Sequence, residues 1–169
     1  MGALIAFYSR AGENYVNGRI LELQVGNTEK LAKVIQNMTK AELFKIEPFK
    51  AYPKDYSDCL FQVKQDQRRE ARPELKSWPE NLALYEVIYL GYPNYWGTLP
   101  MPVFTFLEKY NMDGTVIKPF CTHEGSGLGK SVEDIKRVCP KAVVKAGLEI
   151  HGEPKAFERK KILCWLKEI

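Results

Sequence analysis

Hydroxyl, amide and guanidinium groups cluster where the first apolar segment of the chain gives way to a helical pattern. Ser9 and Arg10 end that segment, and Gly26, Asn27 and Thr28 open the helix. The first turn of a helix offers unpaired N–H groups and the positive end of its dipole, which attract phosphate. Hydroxyls would add donors, and glycine lets the backbone approach closely. In the alternative interpretation, Ser9 only ends a strand and Thr28 only caps the helix.

A second candidate loop, residues 91–100, is rich in aromatic side chains. Its positions of interest are Pro93, Asn94, Tyr95, Trp96 and Gly97. Aromatic side chains at the carboxyl end of a strand stay exposed unless something covers them. A flat conjugated ring would do so, with stacking worth about 0.5–1.5 kcal/mol beyond burial. Alternatively, Tyr95 and Trp96 pack beneath the long segment 47–84.

Glycine dominates a third loop, residues 121–129. Its central positions are Thr122, His123, Glu124, Gly125, Ser126 and Gly127. Such a backbone bends tightly around a ligand or within a turn, and its amides could bind the polar edge of a ring. His123 could donate a hydrogen bond or simply cap the loop, since no Ser/His/Asp arrangement makes it a catalytic base.

Other familiar chemistries lack their motifs here. There is no Gly-x-Gly-x-x-Gly after the first strand, no P-loop and no Gly-x-Ser-x-Gly elbow. The four cysteines form no Cys-x-x-Cys pair and there are only two histidines, which disfavours zinc and fits a reducing compartment. A phosphate end, an aromatic wall and a glycine-rich rim predict a site for flavin mononucleotide (FMN), with no metal and no catalytic side chain.

Strands and helices alternate along the chain and must position these loops. Apolar runs predict strands near residues 3–8, 42–46, 85–90, 115–121 and 143–150. Five strands alternating with amphipathic helices indicate an α/β fold, with a parallel sheet between two helical layers. In such sheets ligands bind beyond the carboxyl ends of the strands, where all three candidate loops lie.

Two stretches exceed what a minimal unit of this kind needs. Residues 11–24 interrupt the first strand-to-helix connection, and residues 47–84 are long for one crossover and hold a weak helical pattern near residues 56–72. No linker, repeat or low-complexity tract is visible, so we predict one domain over residues 1–169. Because no targeting or membrane-spanning segment is visible either, we predict a cytoplasmic protein.

With these residues identified, the chain resembles the flavodoxin family over nearly its whole length. It is most similar to a subgroup of candidate flavodoxins that carry Pro-x-x-Trp-Gly after strand three and Thr-His-Glu-Gly-Ser-Gly after strand four, here residues 93–97 and 122–127. The resemblance implies a flavodoxin-like three-layer sandwich with a five-stranded parallel sheet in the order 2-1-3-4-5.

The family's phosphate loop, Ser/Thr-x-Thr-Gly-x-Thr, is altered in this sequence. Ser9, Gly26 and Thr28 match it, but Val25 replaces the middle threonine and residues 11–24 are inserted within it. The side chains that could replace the lost donor by pairing with phosphate are Arg10, Asn14 and Asn27.

The resemblance also implies where the isoalloxazine ring lies, between residues 93–97 and residues 122–127. Trp96 is the expected stacking partner, with Tyr95 second. Backbone groups of residues 94–97 would reach N5 and O4 of the ring, and amides of residues 124–127 its pyrimidine edge. Glu124 near the ring would disfavour the anionic reduced flavin and lower its potential.

Charge bears on the choice of partners. The net charge is +4 and the sequence pI is about 8.8, whereas flavodoxins are usually acidic, so an acidic docking surface is not implied. The densest basic cluster, Arg68, Arg69 and Arg72, is interrupted by Glu70 and favours a solvated helix face over a nucleic-acid site. We expect redox proteins or small electron acceptors as partners, and a monomer or homodimer.

Three functions remain open. The first is an electron carrier between proteins, with one flavin edge exposed. The second is an FMN-dependent reductase of quinones or other small acceptors fed by NAD(P)H, in which residues 11–24 and 47–84 form a lid or a dimer contact. The third is a flavodoxin-like domain without cofactor; a phospho-receiver is disfavoured because Ser9 and Arg10 stand where its acidic pocket would lie.

Overall fold

The computed structural model of the protein describes residues 2–168, so Met1 and Ile169 of the predicted domain lie outside the described residues. The strands are β1 (Gly2–Phe7), β2 (Gly12–Val16), β3 (Arg19–Leu23), β4 (Glu42–Lys45), β5 (Tyr85–Pro93), β6 (Val116–His123), β7 (Val143–Val144) and β8 (Leu148–His151). The α-helices are α1 (Asn27–Thr39), α2 (Tyr56–Arg68), α3 (Met101–Lys109), α4 (Ser131–Val138) and α5 (Arg159–Lys167).

A parallel sheet forms the centre of the fold, as the alternation of strands and helices predicted. Its order is β4-β1-β5-β6-β7, and β8 also pairs with β6. The α/β class is therefore confirmed, but the predicted count of five strands is wrong, because the sheet has six. Among the helices of residues 2–168, none combines the length and apolarity needed to cross a bilayer.

The extra strand arises because the segment predicted as strand 143–150 is broken in two. β7 pairs with β6 at Ile117 and β8 pairs with it at Phe120, and the intervening stretch is one residue longer on the edge strand than on β6. Lys145 donates its N–H to the carbonyl of Ile117, so the next position on β6 facing this edge is Pro119. Proline has no N–H to continue the ladder, and the edge strand bulges there.

Helices cover both faces of the sheet because β1 alternates its side chains between them. Leu4 and Ala6 belong to one buried cluster, which includes the inward side chains of α3 and Ile135 of α4. Ile5 and Phe7 belong to the other, which includes the inward side chains of α1 and α5. The apolar run of β1 is thus buried on both sides, as expected for a central parallel strand.

The inserted residues 11–24 form a β-hairpin. β2 and β3 pair antiparallel, and Asn17 and Gly18 connect them with φ of +48° and +83°. Both central residues in the left-handed region define the two-residue turn that Asn-Gly favours. The sequence contains this Asn-Gly signal, although the predicted strands do not include the hairpin.

The second long segment, residues 47–84, contributes α2. Asp55 caps it by accepting a hydrogen bond from the N–H of Asp58 at 2.9 Å. The helix ends at Arg68, four residues short of the predicted limit, and Glu70 beyond it has φ of +50°. α2 begins beside β2, so both inserted segments lie at the same end of the sheet.

Lys118, in the middle of β6, ties the sheet to the end of α5. Its side chain is buried, and its Nζ donates to the carbonyls of Trp165, Leu166 and Glu168 at 2.8, 3.1 and 2.6 Å. These carbonyls belong to the last turn of α5 and the residue after it, where a helix leaves its acceptors unpaired. A lysine can therefore occupy a buried strand.

We expect Lys118→Met to lower the free energy of unfolding by about 2–3 kcal/mol, because it leaves three acceptors at the helix end unsatisfied. Urea denaturation measures this loss. Lys167→Met, on the exposed side of α5, removes the same charge and should change stability by less than about 0.5 kcal/mol. Equal effects of the two substitutions would contradict the assignment.

Candidate functional site

A cavity of about 450 Å³ opens at the carboxyl end of the sheet, within the size range of cofactor sites. The predicted site residues in its wall are Ser9, Arg10, Asn27, Thr28, Pro93, Asn94, Tyr95, Trp96, Gly97, Thr122, His123, Glu124 and Ser126. The lining residues not predicted are Tyr15, Tyr56, Cys59, Leu60 and Val63, and Asn14 also lines it. Gly26, Gly125 and Gly127 lie outside the wall.

The start of α1 forms one end of the cavity. The hydroxyl of Ser9 accepts the N–H of Glu29 at 3.1 Å, and the N–H of Lys30 goes to Gly26. Within residues 2–168, the backbone N–H groups of Asn27 and Thr28 have no protein acceptor. Two donors at a helix N-terminus therefore remain for an anion.

Thr28 connects this end to the third loop. Its hydroxyl lies 2.7 Å from that of Thr122, and both side chains are buried. A hydroxyl has one donor and two acceptor positions, so this contact does not exhaust either group. The helix start and the end of β6 are thus held together.

Gly26 has a steric role that the sequence did not predict. A Cβ on this residue would lie 2.3 Å from Oγ of Ser9 and 2.5 Å from the carbonyl oxygen of Arg10. The close approach that requires glycine is therefore between the start of α1 and the loop after β1, and Gly26 does not line the cavity. The absence of a side chain at Gly26 lets Ser9 and Arg10 lie against the start of α1.

Arg10 is in the cavity wall, but most of its donors are engaged elsewhere. The guanidinium donates to the backbone carbonyl of Glu13 and to those of Pro53 and Lys54 at 2.8 and 2.6 Å. It thereby ties the hairpin to the segment before α2. Its Nε is buried and has no partner among the described residues, so this N–H is left unsatisfied.

The aromatic loop is a tight two-residue turn. Tyr95 and Thr98 exchange backbone hydrogen bonds of 2.9 and 3.3 Å across Trp96 and Gly97, whose φ values are +52° and +85°. Glycine adopts this conformation freely, but a tryptophan there costs about 1–2 kcal/mol. The indole of Trp96 is half exposed. The strained backbone of this residue therefore lies in the cavity wall, as is common at functional sites.

Asn94 fixes this turn against the third loop. Its carboxamide accepts the N–H of Gly97 and donates to the carbonyl of Gly127, both at 2.8 Å. Its own N–H goes to the carbonyl of Thr122 at 2.9 Å. The two loops predicted to enclose a ring therefore form one connected unit, in which Gly127 serves as an acceptor.

Three weak acids next to the aromatic loop, the phenols of Tyr8 and Tyr95 and the thiol of Cys59, are uncharged at neutral pH. Tyr95 packs edge-on against Tyr8, with ring centroids 5.8 Å apart, and burial raises the pKa of both phenols. Burial also raises the pKa of the Cys59 thiol. Tyr95 thus packs on the protein side of the wall, which leaves Trp96 as the more accessible aromatic surface.

His123 shapes the third loop. Its Nδ1 accepts the N–H of Gly125 at 2.9 Å, and its Nε2 contacts the carboxylate of Glu149. This network assigns the proton to Nε2. Hydrogen bonding to Lys161 and then to His123 keeps the pKa of Glu149 low. The histidine therefore caps the loop, and the predicted ring-binding amide of Gly125 already has an acceptor.

Glu124 joins the third loop to the inserted hairpin. Its Oε2 accepts the N–H of Asn17, at the hairpin tip, at 3.1 Å, and lies 3.5 Å from Nε2 of His151. Its Oε1 is buried without a partner among the described residues. The side of the hairpin is held by Tyr15, which stacks on Tyr56 with centroids 6.3 Å apart. The hairpin thus contacts both the third loop and α2.

We expect Glu124→Ala to free the hairpin tip, since a hydrogen bond to a carboxylate at this partly exposed site is worth about 1 kcal/mol. Hydrogen exchange of the Asn17 amide should accelerate about fivefold. Glu124→Gln retains an acceptor oxygen and is the matched control, with slower exchange than Glu124→Ala. Unchanged exchange in Glu124→Ala would show that the contact does not hold the tip.

The residues missed by the sequence arguments all come from the two inserted segments. Tyr15 follows the hairpin signal, and Tyr56, Leu60 and Val63 are spaced at i, i+4 and i+7 on α2. That spacing marks one face of a helix. It indicates that this face of α2 points toward the protein interior, but it does not indicate that the face lines a cavity.

Comparison with known proteins places the chain in a family. A sequence model described as Flavodoxin matches residues 23–169. The chain therefore belongs to the flavodoxin family. The match begins at the last residue of β3, so the hairpin tip is not part of it. No curated protein matches the sequence.

Solved structures share the fold over nearly the full length. A candidate flavoprotein from Bacteroides eggerthii is 25% identical, with a TM-score of 0.79 over 98% of this chain and 95% of that one. Another from Bacteroides uniformis is 23% identical, with a TM-score of 0.77 over 99% and 98%. A Lactobacillus acidophilus flavoprotein, solved in complex with FMN, is 19% identical, with a TM-score of 0.67 over 98% and 99%.

Proposed function

We propose that the chain binds one FMN in the cavity and passes electrons through it between redox proteins or small electron acceptors. Membership in the flavodoxin family and the fold shared with an FMN complex support FMN as the cofactor. The group itself supplies the redox chemistry, and the protein contributes binding, orientation and electrostatics.

One observation carries this proposal. Among the described residues, only two buried side-chain polar atoms have no hydrogen-bond partner: Nε of Arg10 and Oε1 of Glu124. Both residues line the same cavity. An unsatisfied buried group costs about 1–3 kcal/mol, so we infer that a ligand of this cavity completes both groups when it binds. Such a ligand would accept from Arg10 and donate to Glu124.

FMN has a group for each requirement. Its phosphate is an acceptor suited to Arg10 and to the amides of Asn27 and Thr28, and the N3–H of its ring is a donor suited to Glu124. Between these ends, Trp96 offers an aromatic face. The altered phosphate loop has Val25 in place of a threonine. In our proposal, Arg10 and the backbone amides of Asn27 and Thr28 supply the donors for the phosphate instead.

Reconstitution tests the proposal. The purified chain is mixed with FMN and desalted, and its visible spectrum and flavin fluorescence are recorded. We expect a bound, quenched flavin at about one per chain. Loss of the flavin from micromolar protein would overturn the redox function and revive a cofactor-free domain that acts by protein contact.

A reductase of small acceptors is the second candidate, and the walls of the cavity favour it. Tyr15 from the hairpin and Leu60 and Val63 from α2 line the cavity, so both inserted segments contribute to its walls. Such walls suit a small acceptor better than direct docking of a protein on the flavin. NADPH oxidation by the holoprotein with a quinone would favour the reductase, and no oxidation with any common acceptor would leave the carrier.

A further inference from the structure

Lys64, on α2, places its ammonium group over the indole of Trp96. Its Nζ lies 4.7 Å from the ring centroid, within the range of a cation–π interaction. Gln67, one turn further along α2, holds both partners. Its Oε1 accepts from Lys64 at 3.1 Å, and its Nε2 donates to the backbone carbonyl of Trp96 at 3.3 Å. The cation is therefore anchored at this position.

The charge of Lys64 acts from behind the indole. Trp96 lines the cavity and Lys64 does not, so the indole is the member of this pair that meets the cavity. Within residues 2–168 Lys64 forms no ion pair, and the nearby Asp66 on α2 is paired with Arg69 at 2.6 Å. The positive charge of Lys64 is therefore not neutralised by a carboxylate, and its electric field acts across the indole of Trp96.

We propose that Lys64 is a positioning residue that raises the reduction potential of the flavin by acting through Trp96. The inference rests on the proposed function. Uptake of two electrons and one proton converts the neutral oxidised ring of FMN into a reduced ring with one negative charge. A fixed cation behind the stacking indole stabilises that charge and has little effect on the neutral ring. It opposes Glu124, which lies in the cavity wall.

A purely structural role would have a different signature. If Lys64 only anchored the turn at residues 95–98, its removal would weaken the binding of oxidised and reduced FMN by the same factor, and the potential would not change. An electrostatic role weakens the binding of the reduced form more. The midpoint potential reports this difference and is independent of turnover.

The test compares three variants of the FMN-loaded protein by spectroelectrochemical titration. Lys64→Met removes the charge, and Lys64→Arg keeps it. Lys109→Met is the matched control, because Lys109 lies over Trp78 at 5.6 Å, away from the cavity. We expect Lys64→Met to raise the ratio of the dissociation constants of reduced and oxidised FMN roughly three- to tenfold at low salt. This appears as a lower midpoint potential, and 1 M salt should diminish the effect.

The outcomes are distinct. A lower potential in Lys64→Met, with values close to wild type in Lys64→Arg and Lys109→Met, supports the inference. An unchanged potential in flavin-loaded Lys64→Met, or an equal shift in Lys109→Met, overturns the inference and leaves the proposed function intact. Absence of bound FMN in the wild-type protein overturns both.

Discussion

Trp96→Asn should stabilise the protein without cofactor and weaken its binding of FMN. Trp96 has φ of +52° ahead of Gly97 at +85°, and Asn-Gly is the sequence that this turn prefers. Relief of the backbone strain, about 1–2 kcal/mol, should exceed the roughly 0.5–1 kcal/mol lost with the exposed cation–π contact of Lys64, so the free energy of unfolding should rise by up to about 1 kcal/mol. Loss of the stacking surface should weaken FMN binding by about 1–3 kcal/mol. The two effects have opposite signs, so general damage to the fold cannot produce them.

Urea denaturation of the cofactor-free protein and titration of FMN fluorescence measure the two effects. Trp78→Phe is the control, because Trp78 packs on Tyr110 rather than in the cavity wall and should leave FMN affinity unchanged. An unchanged dissociation constant in Trp96→Asn would transfer the stacking role to Tyr95. Lower stability of the cofactor-free variant would contradict the strain argument.

Gly91→Ala should destabilise the whole fold, by about 3 kcal/mol. Gly91 on β5 lies directly opposite Phe120 on β6, and a Cβ at Gly91 would lie 2.2 Å from the ring of Phe120. Phe120 is fully buried between the sheet and the helices, so its ring has no free space to enter. Overpacking of this kind typically costs 1–3 kcal/mol, occasionally more. Thermal or urea denaturation measures the loss.

A double-mutant cycle identifies the cause. Phe120→Leu replaces the ring by a smaller side chain. Gly91→Ala should therefore lower the free energy of unfolding by at least 1 kcal/mol less in that background than in the wild type. Gly114→Ala is the comparison, since its Cβ would meet nothing within 4 Å although φ is +76°. It should cost only about 1 kcal/mol from backbone strain. Additive effects of Gly91→Ala and Phe120→Leu would contradict the steric explanation.

The positions of the strands and of the three loops followed from local patterns in the chain. A central parallel strand is apolar on both faces, as the run before Ser9 is, so the α/β class was predictable. Since ligands collect at the carboxyl ends of such strands, the loops after β1, β5 and β6 were candidates before any contact was known. Thirteen of the sixteen predicted site residues lie in the wall of the cavity.

Tertiary contacts decided the number of strands and the partners of individual side chains. The break between β7 and β8 depends on Pro119 in the neighbouring strand, which the edge sequence cannot reveal. The need for glycine at residue 26 is likewise set by Ser9 and Arg10 across a close approach. Such effects depend on what lies opposite a residue in space, and neither the period of the sequence nor its spacing contains that information.

The fold class and the three loops that meet at one edge of the sheet were thus predictable, because strand and helix periodicity and glycine content are local properties. What encloses that edge depends on contacts between distant parts of the chain. The hairpin reaches Glu124 from 107 residues away in the chain, and α2 holds Trp96 through Lys64 and Gln67. Side chains distant in sequence form the cavity wall. Which ligand groups their charges and unpaired donors can bind depends on how the fold brings them together.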